Sequence, residues 1–289
     1  MKIQKPNSSK NQQYKVFALA ERKANGELCC ILETSEVSAT LTIDKLQTAR
    51  LFSRLLAAGR IQQLQRGVYL FPGRIPPGRK WKPAAYLALA NYMKWRKTKW
   101  QISGLDAMSR HGLTTQVPQK IFVYNTAYSG EKEVGGSQFV FVKMPKKHFG
   151  NAVTLLIPNS KLRLTYSSKA RTLFDLVFEH SRLKKLTYAY LCILKFCGNK
   201  KFINELIDCA IAYGNLASQQ RIGFLLNAAK FNGKKLNELR SIIGEYPTPI
   251  SLLPPTRSGL TNKEWGIIES IPVKQLIEES KAIDEINTR

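Results

Sequence analysis

The chain has 289 residues, 44% of them hydrophobic, which is enough material for two cores of ordinary size. Its 45 Lys and Arg against 20 Asp and Glu give a formal net charge of +25, far beyond what solubility requires, and point to a polyanionic partner, nucleic acid first. No apolar run approaches the roughly 18 to 20 residues of a membrane-spanning helix, and residues 1–13 (MKIQKPNSSKNQQ) lack the apolar stretch and small-residue cleavage site of a signal peptide, so the expectation is a cytoplasmic protein without a membrane partner. Basic residues dominate to about residue 240 and acidic ones match or exceed them beyond it, so the tail is not the polyanion-binding end. Cys29, Cys30, Cys192, Cys197 and Cys209 have no CxxC spacing, and His111, His148 and His180 are scattered. All eight read as structural residues, and neither metal nor cofactor is expected.

In chain order, the first ten residues hold Pro6, Asn7, Ser8, Ser9 and three lysines and read as a mobile basic arm able to reach along a duplex. Tyr14, Phe17, Ala18 and Glu21 have helical spacing, stopped by Asn25-Gly26. A short apolar element follows over 28–32. Residues 42–58 (TIDKLQTARLFSRLLAA) predict a second strong helix with Leu46, Ala49, Phe52, Leu55 and Leu56 on its core face, Thr42 as its cap and Gly59 as its stop. The other side carries Asp44, Lys45, Gln47, Thr48, Arg50 and Arg54. Arg60–Phe71 (RIQQLQRGVYLF) then breaks into two strands meeting at Arg66-Gly67, where a hairpin tip calls for a residue tolerant of positive φ.

A polar and basic helix face followed at once by a basic hairpin suits a winged helix on DNA, the helix in the major groove and the wing along the backbone. The alternative is an ordinary solvated helix face beside an ordinary hairpin. Gln and Arg can make bidentate contacts with adenine and guanine edges, while Lys and Thr can hold phosphates. The expected contact set is therefore Lys2 and Lys5 from the arm, Thr42, Lys45, Gln47, Thr48, Arg50 and Arg54 from the helix, and Gln63, Gln65, Arg66 and Tyr69 from the wing.

Pro72, Gly73, Pro76, Pro77 and Gly78 place a domain boundary there or slightly later. Residues 79–100 combine seven basic residues and three tryptophans, which reads either as a bridging helix with its aromatics packed inside or as a stacking platform for single strands. A short helix over 103–113, strands near 120–166, and a helix capped by Ser167 or Ser168 follow. In that last helix Arg171 and Asp175 stand one turn apart as an ion pair. From about 183 to 243 the pattern is helical, and the last 45 residues are loop-rich. The fold class is α+β, with an N-terminal winged helix-turn-helix followed by a larger mixed α/β C-terminal domain in which helices are the majority. The organisation expected is an arm at 1–10, the winged helix at 11–78 and the C-terminal domain at 79–289.

The order of five short segments resembles the AbiEi family, the antitoxin half of a class of abortive-infection toxin-antitoxin pairs. They are GRIQQLQRGVYLFPG (59–73), ISGLDAMSRHGLTTQVPQKIFVYNT (102–126), SSKARTLFDLV (167–177), QRIGFLLNAA (220–229) and LTNKEWGIIES (260–270). The resemblance implies an N-terminal winged helix bound to double-stranded DNA at inverted repeats in its own promoter. It also implies a non-catalytic C-terminal domain that counters a nucleotidyltransferase-like toxin encoded next door. Arg66, Gly67 and Tyr69 match the family's Arg-Gly-hydrophobic-Tyr run in the wing. Residues 33–43 (ETSEVSATLTI) are longer and more β-branched than the second helix of such a motif, which leaves the recognition positions open.

Two other readings compete. A nucleic-acid-processing enzyme would also be basic, but Asp44, Asp106, Asp175, Asp208 and Asp284 are widely separated with no DxD, and there is no GxxxxGK[ST], GxSxG or GxGxxG. A general winged-helix regulator or RNA-binding protein without a toxin partner would share the N-terminal features.

Overall fold

In the computed structural model the described residues are 8–74 and 80–286, with side chains described over 11–74 and 80–282. Lys2, Lys5, most of the expected arm and the Pro76-Pro77-Gly78 run lie outside them, and Ser8–Lys10 are already helical. Contacts divide the chain into a first unit of residues 1–100, 125–143 and 154–164, and a second unit of 101–124, 144–153 and 165–289.

The first unit begins with α1 (Ser8–Ala24), β1 (Cys29–Glu33), α2 (Thr34–Leu41), α3 (Lys45–Ala57), β2 (Gln62–Gln65) and β3 (Val68–Pro72). The strands form an antiparallel sheet in the order β1-β3-β2, with Leu32 and Gln63 both registered on Tyr69. This succession and pairing make a winged helix-turn-helix, with β2 and β3 as the wing. Asn25 (φ +47°) and Gly26 (φ +83°) turn the chain out of α1. A reciprocal capping box of Glu33 and Glu36 starts α2, which takes up residues 34–41 of the β-branched stretch.

Two expectations for α3 are corrected. Thr42, expected to cap its start, instead closes α2 in the left-handed conformation (φ +51°), and Asp44 is the cap, accepting from the amides of Leu46 at 2.9 Å and Gln47 at 3.1 Å. The buried side of α3 consists of Thr48, Leu51, Phe52 and Leu55, whereas Leu46, assigned to the core from the sequence, is 58% exposed. Phe52 packs edge-on against Tyr69 (5.0 Å between centroids) and Phe71 (5.3 Å), and Phe71 meets Phe17 of α1 at 5.7 Å.

The boundary expected after residue 78 falls inside this unit. The side chain of Asn91, in α4 (Ala85–Trp95), donates to Cys29 Sγ at 3.2 Å, and Trp95 Nε1 donates to Glu33 Oε1 at 2.7 Å. The hairpin of Gly130–Val134 and Ser137–Lys143 also belongs here, since Gly135 N donates to Gln63 O at 3.1 Å. Trp81, Trp95 and Trp100 are all half-buried and Tyr92 is buried, in keeping with the packed reading of residues 79–100. Burial pushes the thiols of Cys29 and Cys30 up to about 12, leaving them protonated and inert at neutral pH.

In the second unit, residues 101–103 run parallel to residues 165–167 with Ile102 opposite Tyr166. The former lead into α5 (Gly104–Arg110), and Ser168 caps α6 (Lys169–Phe178). Arg171 and Asp175 of α6 form the expected ion pair, at 2.7 Å, but with neither side chain exposed to solvent at all. Asp175 also accepts from Ser103 Oγ at 2.5 Å and Ser167 Oγ at 3.0 Å, while the Arg171 guanidinium lies 3.8 Å from the centroid of the Tyr213 ring. Helices over Leu186–Lys195, Lys200–Tyr213, Leu216–Ala228 and Lys234–Ile243 complete the core around Trp265, which is 1% exposed. A Cβ on Gly223 would stand 1.9 Å from the Trp265 ring, so the glycine makes room for it. The whole is α+β with a helical majority.

Removing one partner of a fully buried pair strands the other charge. Asp175→Ala is therefore expected to lower unfolding free energy by about 3–5 kcal/mol, measured by urea denaturation. The double variant Arg171→Met/Asp175→Leu is expected to cost less than Asp175→Ala alone.

Candidate nucleic-acid interface

At 100° per residue the buried positions of α3 define one side, and Leu46, Arg50, Ser53 and Ala57 lie along the opposite side with Gln47 and Arg54 flanking them. Lys45, Gln47, Arg50 and Arg54 are all exposed, and Gln47, Arg50 and Arg54 share the outward part of the helix, whereas Lys45, its first residue, lies on the Phe52 side of the axis. They stand there because Thr48, Leu51, Phe52 and Leu55 are held by α1 and the sheet, and the core dictates the rotation of the helix about its axis.

Arg66 is exposed at the tip of the wing, beside Gly67 in the left-handed region (φ +79°). The tip is anchored to the start of α2, since the carbonyl of Gly67 accepts from Thr34 N at 2.9 Å and from Thr34 Oγ1 at 3.3 Å. Gln63 and Gln65 are half-buried on β2, either side of the buried Leu64. Gln65 borders a cleft of about 320 Å³ with Tyr92, Arg96, Tyr128 and Lys132. In that cleft Lys132 Nζ donates to Tyr92 Oη at 2.8 Å, and Arg96 lies over the Tyr128 ring at 5.3 Å.

Two further members of the expected contact set are placed elsewhere. Thr48 is wholly buried and its hydroxyl donates back to Asp44 O at 3.0 Å, so it holds α3 in position and offers nothing to a phosphate. Tyr69 is 8% exposed and packs on Phe52, and burial raises its phenol above its ordinary range. It is a core residue of the wing. Lys2 and Lys5 fall outside the described residues, and Thr42, although exposed, belongs to the turn between α2 and α3.

Leu46 was misplaced in the opposite sense, assigned to the core and found on the outer face. The signal that would have found it is the wheel centred on Thr48, Leu51, Phe52 and Leu55, with threonine counted among the core-formers. Among the described residues no three of His, Cys, Asp and Glu come together where they could hold a metal ion.

No protein-family model matches the chain, and no curated protein matches it. Among solved structures, the crystal structure of the RV2827C protein from Mycobacterium tuberculosis is similar at a TM-score of 0.58, covering 93% of this chain and 94% of that chain. The two are 13% identical, so the likeness is one of fold.

The separation of outward from inward residues has a measurable consequence. Tyr69→Ala is expected to cost about 3–5 kcal/mol of stability, the range for large core aromatics cut to alanine. Arg66→Ala and Arg50→Ala are expected to stay within about 0.5 kcal/mol of the parent in the same denaturation experiment.

Proposed function

We propose that the chain is a DNA-binding repressor whose outer α3 face enters the major groove while Arg66 at the wing tip meets the phosphate backbone. The observation that carries this reading is the presentation of Gln47, Arg50 and Arg54 on the solvent side of α3, with Lys45 exposed at its first residue, within a winged helix-turn-helix of a chain carrying a net charge of +25. Gln47 and Arg50 have the side-chain geometry for base edges, while Lys45 and Arg66 suit phosphates. Two copies on inverted repeats in its own promoter would match the symmetry of such a site. The resemblance to AbiEi antitoxins extends the proposal: the second unit counters a nucleotidyltransferase-like toxin encoded alongside, in the cytoplasm and without catalysis of its own. No helix among the described residues is long and apolar enough to cross a membrane.

The test is an anisotropy titration of the full chain against its upstream DNA, with scrambled duplex as competitor, across a salt series. Six to ten phosphate contacts imply a fall in affinity of ~10³–10⁵ between about 50 and 200 mM salt. Arg66→Ala is expected to weaken binding to every sequence and to reduce the salt slope by about one per bound copy, about two for the pair. Arg50→Ala is expected to relax preference at one base position by about 1–3 kcal/mol. Upstream DNA bound no tighter than scrambled DNA would overturn the repressor reading. Co-expression with the neighbouring gene tests the antitoxin half: rescue of growth supports it, and toxicity that persists overturns it.

A further inference from the structure

We propose that Leu46 is a specificity-determining residue that recognises a thymine in the major groove by its C5-methyl group; this rests on the DNA-binding reading above. Leu46 is the second residue of α3, 58% exposed, and one turn before Arg50 on the same outward side, with Gln47 next to it. Leucine has no advantage over lysine, glutamine or arginine as a helix former, so helix stability does not account for an apolar side chain on this polar face. Core packing does not account for it either, since Thr48, Leu51, Phe52 and Leu55 fill the buried side.

The chemistry around Leu46 narrows what it can meet. The Asp44 carboxylate occupies the amides of Leu46 and Gln47 at the helix start, which places a negative charge where a phosphate would otherwise dock. The Leu46 and Gln47 amides are therefore closed to a phosphate, and an apolar side chain such as that of Leu46 has only the base edges to meet. On those edges the thymine methyl is the apolar group of the major groove, and a neighbouring Gln or Arg can read the adjoining base by hydrogen bonds. Leu46 together with Gln47 and Arg50 would thus recognise a thymine next to an adenine or guanine.

Replacing thymine by uracil removes the methyl and nothing else. The full chain and Leu46→Ala are titrated against upstream DNA carrying uracil in place of one thymine of each half-site in turn, with circular dichroism confirming that the variant is folded. The expected result is that uracil at one position weakens the parent about fourfold per half-site, the worth of one buried methyl, and that the same replacement changes nothing for Leu46→Ala. A parent that prefers upstream over scrambled DNA yet ignores uracil at every position would overturn the assignment. So would a Leu46→Ala variant as sensitive to uracil as the parent, or one that sediments as a smaller species in the absence of DNA, which would give Leu46 to a contact between copies. A parent with no preference for upstream DNA would overturn the DNA-binding reading itself and the role of Leu46 with it.

Discussion

Phe52 wedged edge-on between Tyr69 and Phe71 governs what the first unit can present to a partner. A helix on a protein surface is free to rotate about its axis until something large locks it, and here the lock is aromatic, with Phe17 of α1 behind it. Once Phe52 is seated, Thr48, Leu51 and Leu55 must turn inward, and Leu46, Gln47, Arg50 and Arg54 must turn out. The charged face of α3 is thus a by-product of core packing. Its composition is set by which residues happen to stand half a turn from Phe52.

The same lock explains where the sequence was legible. Helical periodicity located α1 and α3, and the Arg66-Gly67 step located the wing, because each is a local pattern with a local cause. The rotation of α3 was misjudged because hydropathy ranks Leu46 above Thr48. In the fold, the Thr48 hydroxyl is satisfied by the carbonyl of Asp44 one turn back, which lets its methyl behave as a core group. Tyr69 was drawn into the contact set with Arg66 through the Arg-Gly-hydrophobic-Tyr resemblance in the wing, and strand alternation alone does not say that both faces of β3 are covered. The boundary expected after residue 78 falls inside the first unit for a different reason. Prolines and glycines mark a change of direction, whereas membership of the first unit is decided by pairings such as Gly135 with Gln63 that no local window contains.

In the second unit the spacing of Arg171 and Asp175 announced a pair but not its burial. One-turn charge pairs belong mostly to helix surfaces, and it takes Ser103, Ser167 and Tyr213, from three other elements, to make a dry environment tolerable. Two of the segments that prompted the family resemblance, at 220–229 and 260–270, prove to be physically joined. Gly223 from the first receives the Trp265 ring from the second, and Gln220 Nε2 donates to the carbonyl of Gly266 at 3.3 Å.

The tethering of the wing carries a consequence for association. A hairpin projecting from a sheet on a two-residue turn is ordinarily a swinging element, and a partner that grips it must first still it. Here the carbonyl of Gly67 is held by Thr34, and the carbonyl of Gln63 by Gly135. The entropy of ordering the hairpin backbone is thus spent during folding, and on the DNA-binding reading proposed above the wing would meet a duplex as a ruler whose backbone distance from α3 is already set. Such a ruler tolerates little variation in groove width, so the local shape of a duplex would be discriminated even where no base is touched.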